Sequence, residues 1–348
     1  MITIGHGNLI HQNTEALVNT VNCVGFMGKG VALQFKMAFP DNFQFYQKAV
    51  HAGQVKPGTM LVYETRGVDN PKYIINFPTK VHWREKSHYE YIESGLEDLI
   101  SVIKSLSIHS ITLPPLGCGL GRLDWNRVRP MIESAFSQLP EVEVLLFEPS
   151  GAPTPSEMPV RTKHPKMTLS RALFIKLVKQ YLRLDYRLTL LEVQKIAYFL
   201  QESGEKLNLR YEKGYYGPYA PNLNKLLEVM EGHYIRGYGD SQKPDVKIKL
   251  IKGAIEEADN YLFIHYLGVN DKLERVAQLI AGFETPYGME LLSSVHWLAT
   301  HTKPSIENAD QAISEMANWS ERKKKMFKPH HIKICWERLV AEGWINTN

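Results

Sequence analysis

The chain is poor in cysteine, in net charge and in long apolar runs, and each shortage removes a class of protein. Its 348 residues include three cysteines, Cys23, Cys118 and Cys335. An odd number at wide spacing excludes a disulfide framework and offers no zinc cluster. Free thiols fit a reducing compartment, so the expected location is cytoplasmic. No basic segment followed by an apolar one opens the sequence, and no apolar run approaches the roughly 20 residues that span a bilayer, so no membrane partner is expected. A formal charge of +4 is too small over this length to indicate a polyanionic partner. The 13 histidines show no His-x-x-x-His spacing, and the adjacent His330 and His331 point two ways, so no metal is expected. Internal repeats are absent as well.

What remains is ordinary globular material, 44% hydrophobic and 22% charged, and too long for one core, so two domains are expected. Through residue 150, apolar strand-like runs at 1–4, 15–22, 59–64, 72–77, 110–113 and 142–147 alternate with helical patterns at 31–37, 41–52, 87–105 and 125–139. Asp41 is placed as the N-cap of the second helix and Ser87 at the start of the third. This alternation predicts an α/β layered domain with loops at the strand C-termini open to a ligand. Pro149, Gly151, Pro153, Pro155, Pro159 and Pro165 then deny helix and central strand, which predicts a stiff linker over 151–168. Residues 169–348 read as mainly α-helical. Helices are expected near 170–184, 190–202, after the loop at 211–221 through about 231, and near 273–283, 289–301, 306–317 and 330–342, with one strand near 246–251. Thr189 would cap the helix at 190, with Gln194 and Lys195 on its polar edge, and Tyr211 to Pro221 would form an aromatic loop.

The chemistry-bearing residues lie in the first half. Val18 to Asn22 is a buried strand that runs into Gly25-Phe26-Met27-Gly28-Lys29-Gly30 and then a helix, an arrangement that gathers backbone N–H groups and a helix N-terminus at one point and suits a phosphate. A second glycine loop, Gly117-Cys118-Gly119-Leu120-Gly121, follows the strand at 110–113. Either loop alone is a weak signal; two in one α/β domain point to a diphosphate cradle. Asn22 has two readings, a cap for the following turn or a ligand contact. Lys80, just past a strand, is either a solvated loop lysine or one whose pKa is lowered in a confined site, fit for nucleophilic or proton-transfer work. His82, Trp83, Arg84 and His88 either stack on a nucleic acid or only line a helix entry. Cys118 lacks a partner histidine and reads as a small filler.

These stretches resemble a known family. Gly7-Asn8-Leu9, Val18 to Asn22, Gly25 to Ala32 and Pro114 to Gly121 are similar to the ADP-ribose-binding macrodomain, in the family's order and over nearly all of residues 1–150. The implied fold is an α/β macrodomain, a mixed sheet between helices. Thr79-Lys80 and the Gly-Cys-Gly-Leu loop resemble the branch that removes ADP-ribose with a lysine, and within it the DarG-type antitoxins. The resemblance implies hydrolysis of the N-glycosidic bond between ADP-ribose and thymidine in single-stranded DNA, reversing a DNA ADP-ribosyltransferase toxin, without a cofactor. It implies catalytic roles for Lys80 and Asn22, Lys80 as nucleophile or as proton donor. ADP-ribose contacts are implied for Gly7, Asn8, Leu9, Thr20, Val21, Asn22, Met27, Gly28, Lys29, Gly30, Val31, Thr79, Leu116, Gly117, Cys118, Gly119, Leu120 and Gly121. The chain departs from the family at Asn8, where an aspartate is usual, and at Gly121, where a related protein-directed enzyme has an aspartate. In the second half, Leu191 to Phe199 and Tyr216 to Pro221 resemble the Panacea-type antitoxin domain, which implies that residues 169–348 bind the cognate toxin. A pure ADP-ribose reader and a pure toxin sequestrator are the alternatives.

Overall fold

The computed structural model describes residues 1–67, 69–149, 159–182, 188–239, 245–265, 270–303 and 306–346. The first part of the predicted linker, 151–158, lies outside these residues, as do 183–184 of the first helix expected after it. The chain forms two compact units, Met1–Lys163 with 239–241, and His164–Tyr238 with Gln242–Asn348.

The first unit is a mixed six-stranded sheet between helices, as the macrodomain resemblance implies. Its strands are β1 (Ile2–Ile4), β2 (Ala16–Asn22), β3 (Leu61–Glu64), β4 (Tyr73–Lys80), β5 (Ser110–Leu113) and β6 (Glu143–Leu146). They lie in the order β1-β6-β5-β2-β4-β3, and every neighbouring pair is parallel except β3 with β4. The two-residue period of the strands sorts their side chains between two faces. Ala16, Val18, Ile75, Phe77 and Ile111 pack under α3 (Tyr89–Leu106) and α4 (Trp125–Phe136), while Leu17 and Ile74 meet Phe35 and Ala38 of α1 (Gly30–Ala38). Each fully buried Val, Leu, Ile or Phe among them contributes roughly 1.5–3 kcal/mol. On α3, Gly95 leaves room for the Phe77 ring, which would lie 2.3 Å from a Cβ placed there.

Several boundaries differ from the sequence expectation. Helix α2 (Pro40–His51) is capped by Phe39, with Pro40 in its first turn, so Asp41 sits inside the helix; proline suits that first position because its missing N–H has no intrahelical acceptor to lose. Helix α3 starts at Tyr89 with His88 as its cap, and Ser87 is left buried beside the second glycine loop. Strand β4 runs three residues past Phe77. Its pairing with β3 ends at Asn76, so beyond that point β4 has an open flank where Pro78, lacking an N–H, costs no ladder bond on that side.

The second unit is mainly helical. Its elements are α5 (Leu169–Leu182), α6 (Leu190–Glu202), a hairpin of β7 (Glu212–Gly214) and β8 (Gly217–Tyr219), α7 (Leu223–Met230), and the short pair β9 (Ile235–Arg236) and β10 (Lys249–Leu250). Then follow α8 (Ala254–His265), α9 (Asn270–Ile280), α10 (Pro286–His301), α11 (Ala309–Trp319), α12 (Glu321–Met326) and α13 (Pro329–Ala341). Thr189 does cap α6, its backbone N–H donating to the Glu192 carboxylate at 2.7 Å. The expected aromatic loop is a tight hairpin, and α8 and α12 add to the helices that periodicity predicts. Gln194 and Lys195 are not a polar edge; both are buried. Gln194 exchanges hydrogen bonds with the Ala220 backbone, and the Lys195 ammonium donates to the Pro218 carbonyl at 2.7 Å. A side chain that finds its partners on a neighbouring hairpin loses its need for water, so polarity alone misplaced it. Among the described residues no helix is long and apolar enough to cross a membrane.

Candidate active site

The C-terminal ends of β1, β2, β4, β5 and β6 open on one edge of the sheet, because these strands are mutually parallel. Gly7 to Leu9, Asn22 to Val31, Lys80 and Pro114 to Gly121 therefore emerge side by side, although they are far apart in sequence. Such an edge is where open α/β sheets bind ligands.

Beneath the first glycine loop lies a buried amide cluster. Asn76 donates to Asn42 (2.8 Å) and accepts from Asn42 and from Asn19, whose amide also approaches the Met27 sulfur at 3.8 Å. Met27 is thereby drawn down, fully buried, and the loop is seated on the sheet. Asn22 closes the loop from the strand side. Its side-chain oxygen accepts the Val24 N–H (3.0 Å) and the Phe26 N–H (3.3 Å), its amide donates to the Phe26 carbonyl, and the Tyr46 hydroxyl donates to its backbone oxygen at 2.6 Å. Asn22 thus caps the turn, and it also stands in register with Lys80 across a bulge in the β2–β4 pairing.

Lys80 ends β4 with only 8% of its surface exposed, which rules out the solvated-loop reading. Its ammonium donates to the carbonyls of Glu85 and Leu120, both at 3.0 Å. Burial, and then the nearby Arg122 guanidinium, lower its pKa from the usual lysine range, with Glu85 opposing them. Sequence reasoning missed both acceptors, and no residue type would have signalled them, because backbone carbonyls leave no mark in composition.

The second loop is closed by its own backbone. The Cys118 N–H donates to Pro115, Arg122 to Gly119 and Leu123 to Gly117, while Ser87 donates to the Gly121 carbonyl at 3.0 Å. Gly121 has no room for a side chain: a Cβ there would lie 2.2 Å from the Gly117 carbonyl oxygen and 2.3 Å from the Ser87 hydroxyl. The departure from aspartate is therefore built into the loop's packing. Gly121→Ala is expected to force the loop open and weaken ADP-ribose binding at least tenfold by calorimetry, an effect of over about 1.4 kcal/mol. Unchanged affinity would show that the loop yields without cost. Burial, with Asp124 adding to it, pushes the Cys118 thiol up to about 11, so at neutral pH it is no thiolate nucleophile. The two loops approach each other, since a Cβ on Gly30 would lie 3.7 Å from the Leu120 side chain.

The other expected contacts divide by what they present. Leu9, Val21, Met27 and Leu116 send their side chains into the core, so only their backbones face outward. Gly7 turns with φ +80°, and buried Asn8 caps the short 3-10 helix Leu9–His11, its side-chain oxygen accepting the Ile10 N–H at 3.0 Å. Thr79 is buried in β4, Thr20 and Val31 are half-buried, and Lys29 and Gly30 form the N-terminus of α1. Among the described residues no cluster of His, Cys, Asp and Glu has the arrangement to hold a metal ion.

The chain is similar to several known proteins. The Macro domain family matches residues 18–132. A protein of Thermus aquaticus named DNA ADP-ribosyl glycohydrolase is 44% identical over 344 residues, covering 99% of this chain and 94% of that protein. A Thermosipho africanus protein named DNA ADP-ribosyl transferase-DNA ADP-ribosyl glycohydrolase fusion protein is 30% identical over 163 residues, 42% of each chain. Among solved structures, the macrodomain of Mycobacterium tuberculosis DarG is 55% identical and covers 43% of this chain and 99% of its own, with a TM-score of 0.43.

Proposed function

The chain belongs to the DNA ADP-ribosyl glycohydrolase family, and from that premise we propose that it hydrolyses the N-glycosidic bond joining ADP-ribose to thymidine in single-stranded DNA. The observation that carries this reading is Lys80, a lysine with depressed pKa at a strand end, in register with Asn22 and tied to the second glycine loop. The diphosphate lies along the backbone N–H groups of the two glycine loops and the N-terminus of α1, where the helix dipole favours negative charge. The distal ribose then stands over the strand ends of β2 and β4, with its anomeric carbon toward Lys80 and Asn22. Water adds to that carbon, the bond to the base nitrogen breaks, and the nitrogen recovers a proton. Lys80 acts either by attacking the carbon first or by delivering that proton. With Gly121 unable to carry an acid, no carboxylate from this loop takes part.

The first unit is the hydrolase and the second the toxin-binding module in this proposal. Support for a toxin partner comes from the Thermosipho relative, whose name joins transferase and glycohydrolase in one chain. The hairpin of β7 and β8 offers a candidate contact surface: Tyr215 and Tyr216 at its tip are 59% and 37% exposed, with the Arg322 guanidinium 5.2 Å and 4.7 Å from their rings.

The test is incubation of the full chain with an oligonucleotide bearing one ADP-ribosylated thymidine, read as ADP-ribose released. Release is expected, with KM rising steeply as salt is added because phosphate contacts are screened. Saturable binding without release would make the protein a reader.

A further inference from the structure

Beside Lys80 lies a ring platform that the reaction does not use. We infer that Trp83 and Phe26 form a stacking site for an unpaired base flanking the modified thymidine, so that the protein grips the strand as well as the ADP-ribose. The inference rests on the proposed reaction and adds a binding site to it.

Trp83 lies three residues past Lys80 in a turn that ties itself together. The Glu85 N–H donates to the His82 carbonyl, the His82 N–H to the Glu85 carboxylate and the Arg84 N–H to His82 Nδ1. The same turn supplies the Glu85 carbonyl that holds the Lys80 ammonium, so the ring is fixed relative to the reacting centre. Its centroid is 5.4 Å from the Phe26 ring at 37°, and Phe26 belongs to the loop that Asn22 staples. The His82 ring centroid also lies 5.4 Å from that of Trp83, and the Arg84 guanidinium is 4.6 Å from the Trp83 ring.

The surroundings suit a single strand. Val24 and Val81, 44% and 41% exposed, are joined through the Cys23 N–H to Val81 carbonyl bond beside the platform, and Leu120 across the site is 42% exposed. Large apolar side chains left open together mark a contact surface. Arg84, Lys86 and Arg122 are exposed cations within a few residues of these groups, and the exposed acids Glu85 and Asp124 lie among them. Rings for base faces with cations for phosphates is the combination that holds unpaired nucleic acid. A duplex keeps its bases stacked on one another and cannot offer such a face.

The test uses the full chain and two substrates, a single-stranded oligonucleotide carrying one ADP-ribosylated thymidine and the same modified thymidine as a free nucleoside. In Trp83→Ala the ratio of kcat/KM for oligonucleotide over nucleoside is expected to fall about tenfold or more, mostly through KM, since one base stack is lost. Trp83→Phe, which keeps a ring, should recover most of it. Retained ADP-ribose affinity checks that each variant is folded. An unchanged ratio, or an equal fall on both substrates, overturns the inference; the latter would make Trp83 a support for the reacting centre. Should wild type release no ADP-ribose from either substrate, the reaction reading fails by itself. The stacking site is then decided by fluorescence anisotropy with unmodified oligonucleotide, where wild type must bind single strand more tightly than duplex and Trp83→Ala must lose the preference.

Discussion

Replacing Lys80 by Ala is expected to abolish removal of ADP-ribose from the modified oligonucleotide, with kcat falling about 10²- to 10⁴-fold or more, while ADP-ribose binding by calorimetry stays within a few-fold of wild type. The split follows from where the side chain sits. In the proposed site the diphosphate is held by backbone groups of the glycine loops, where the Lys80 ammonium donates to the Leu120 carbonyl, whereas bond cleavage would depend on the ammonium itself. The toxin binding proposed for the second unit should survive in the same variant. Unchanged turnover would remove Lys80 from the mechanism. The two chemical roles separate with borohydride, which traps a sugar adduct on wild type if the lysine is the nucleophile and nothing if it only moves a proton. The pH profile carries a further sign. Burial comes first and Arg122 second in lowering the Lys80 pKa. Arg122→Ala removes a repelling cation, the pKa rises, and the limb of the pH–rate profile set by Lys80 moves to higher pH. That limb is the acid one for a nucleophile, which must be neutral, and the alkaline one for a proton donor.

Glu290→Ala should be the most damaging single change to stability, costing about 3–5 kcal/mol in urea denaturation of the full chain. Glu290 is 2% exposed and accepts two hydrogen bonds from the Arg322 guanidinium, at 2.6 and 3.0 Å, and one from the Lys323 ammonium at 2.7 Å. Burial raises its pKa, but these cations more than offset it, and the carboxyl stays below its ordinary range. Lys323 is fully buried and donates also to the Ser294 hydroxyl. Lys195 lies close by, its pKa lowered to about 7 by burial and then by Lys323, while burial brings Lys323 down to about 8. Without the carboxylate, buried cations are left uncompensated, and against a total stability of about 5–15 kcal/mol that is a large fraction. Removing Glu290 depresses both lysine pKa values further. The folded variant therefore sheds their charge more readily, and the penalty is expected to shrink between pH 7 and pH 9. A loss below about 1 kcal/mol at pH 7 would mean that the lysines are already neutral there. The network also fixes the hairpin, because Lys195 holds the Pro218 carbonyl and a Cβ on Gly217 would lie 2.8 Å from the Ser294 hydroxyl. Glu290→Ala should accordingly weaken the toxin binding proposed for Tyr215 and Tyr216 even where the chain remains folded.

Much of the first unit is legible in the order of its amino acids. The strand at 15–22 announces itself by Ala16-Leu17-Val18 and Val21, the one at 110–113 by alternation of Ile111 and Leu113 with Ser110 and Thr112, and the glycine loops by spacing after a strand end. Local pattern suffices where backbone geometry and burial depend on residues near one another in sequence. It also marks Lys80 as a candidate, without deciding between a solvated and a confined lysine. That choice lies with β4 extending to residue 80 and with carbonyls at Glu85 and Leu120, up to 40 residues away. Gly121 reads as a departure from a family pattern, and only the Gly117 carbonyl and Ser87 against it show why no side chain fits. In the second unit the polarity of Gln194 and Lys195 points to solvent, and the fold buries both beneath a hairpin that the sequence shows only as an aromatic run. By itself, then, the sequence determined the α/β layering, the loops, the helix-rich second half and the candidate lysine, because each is written in a period or a motif of a few residues. The tertiary structure alone decided which polar groups are desolvated and what holds them, because hydrogen-bond partners on distant segments, many of them backbone atoms, have no local signature.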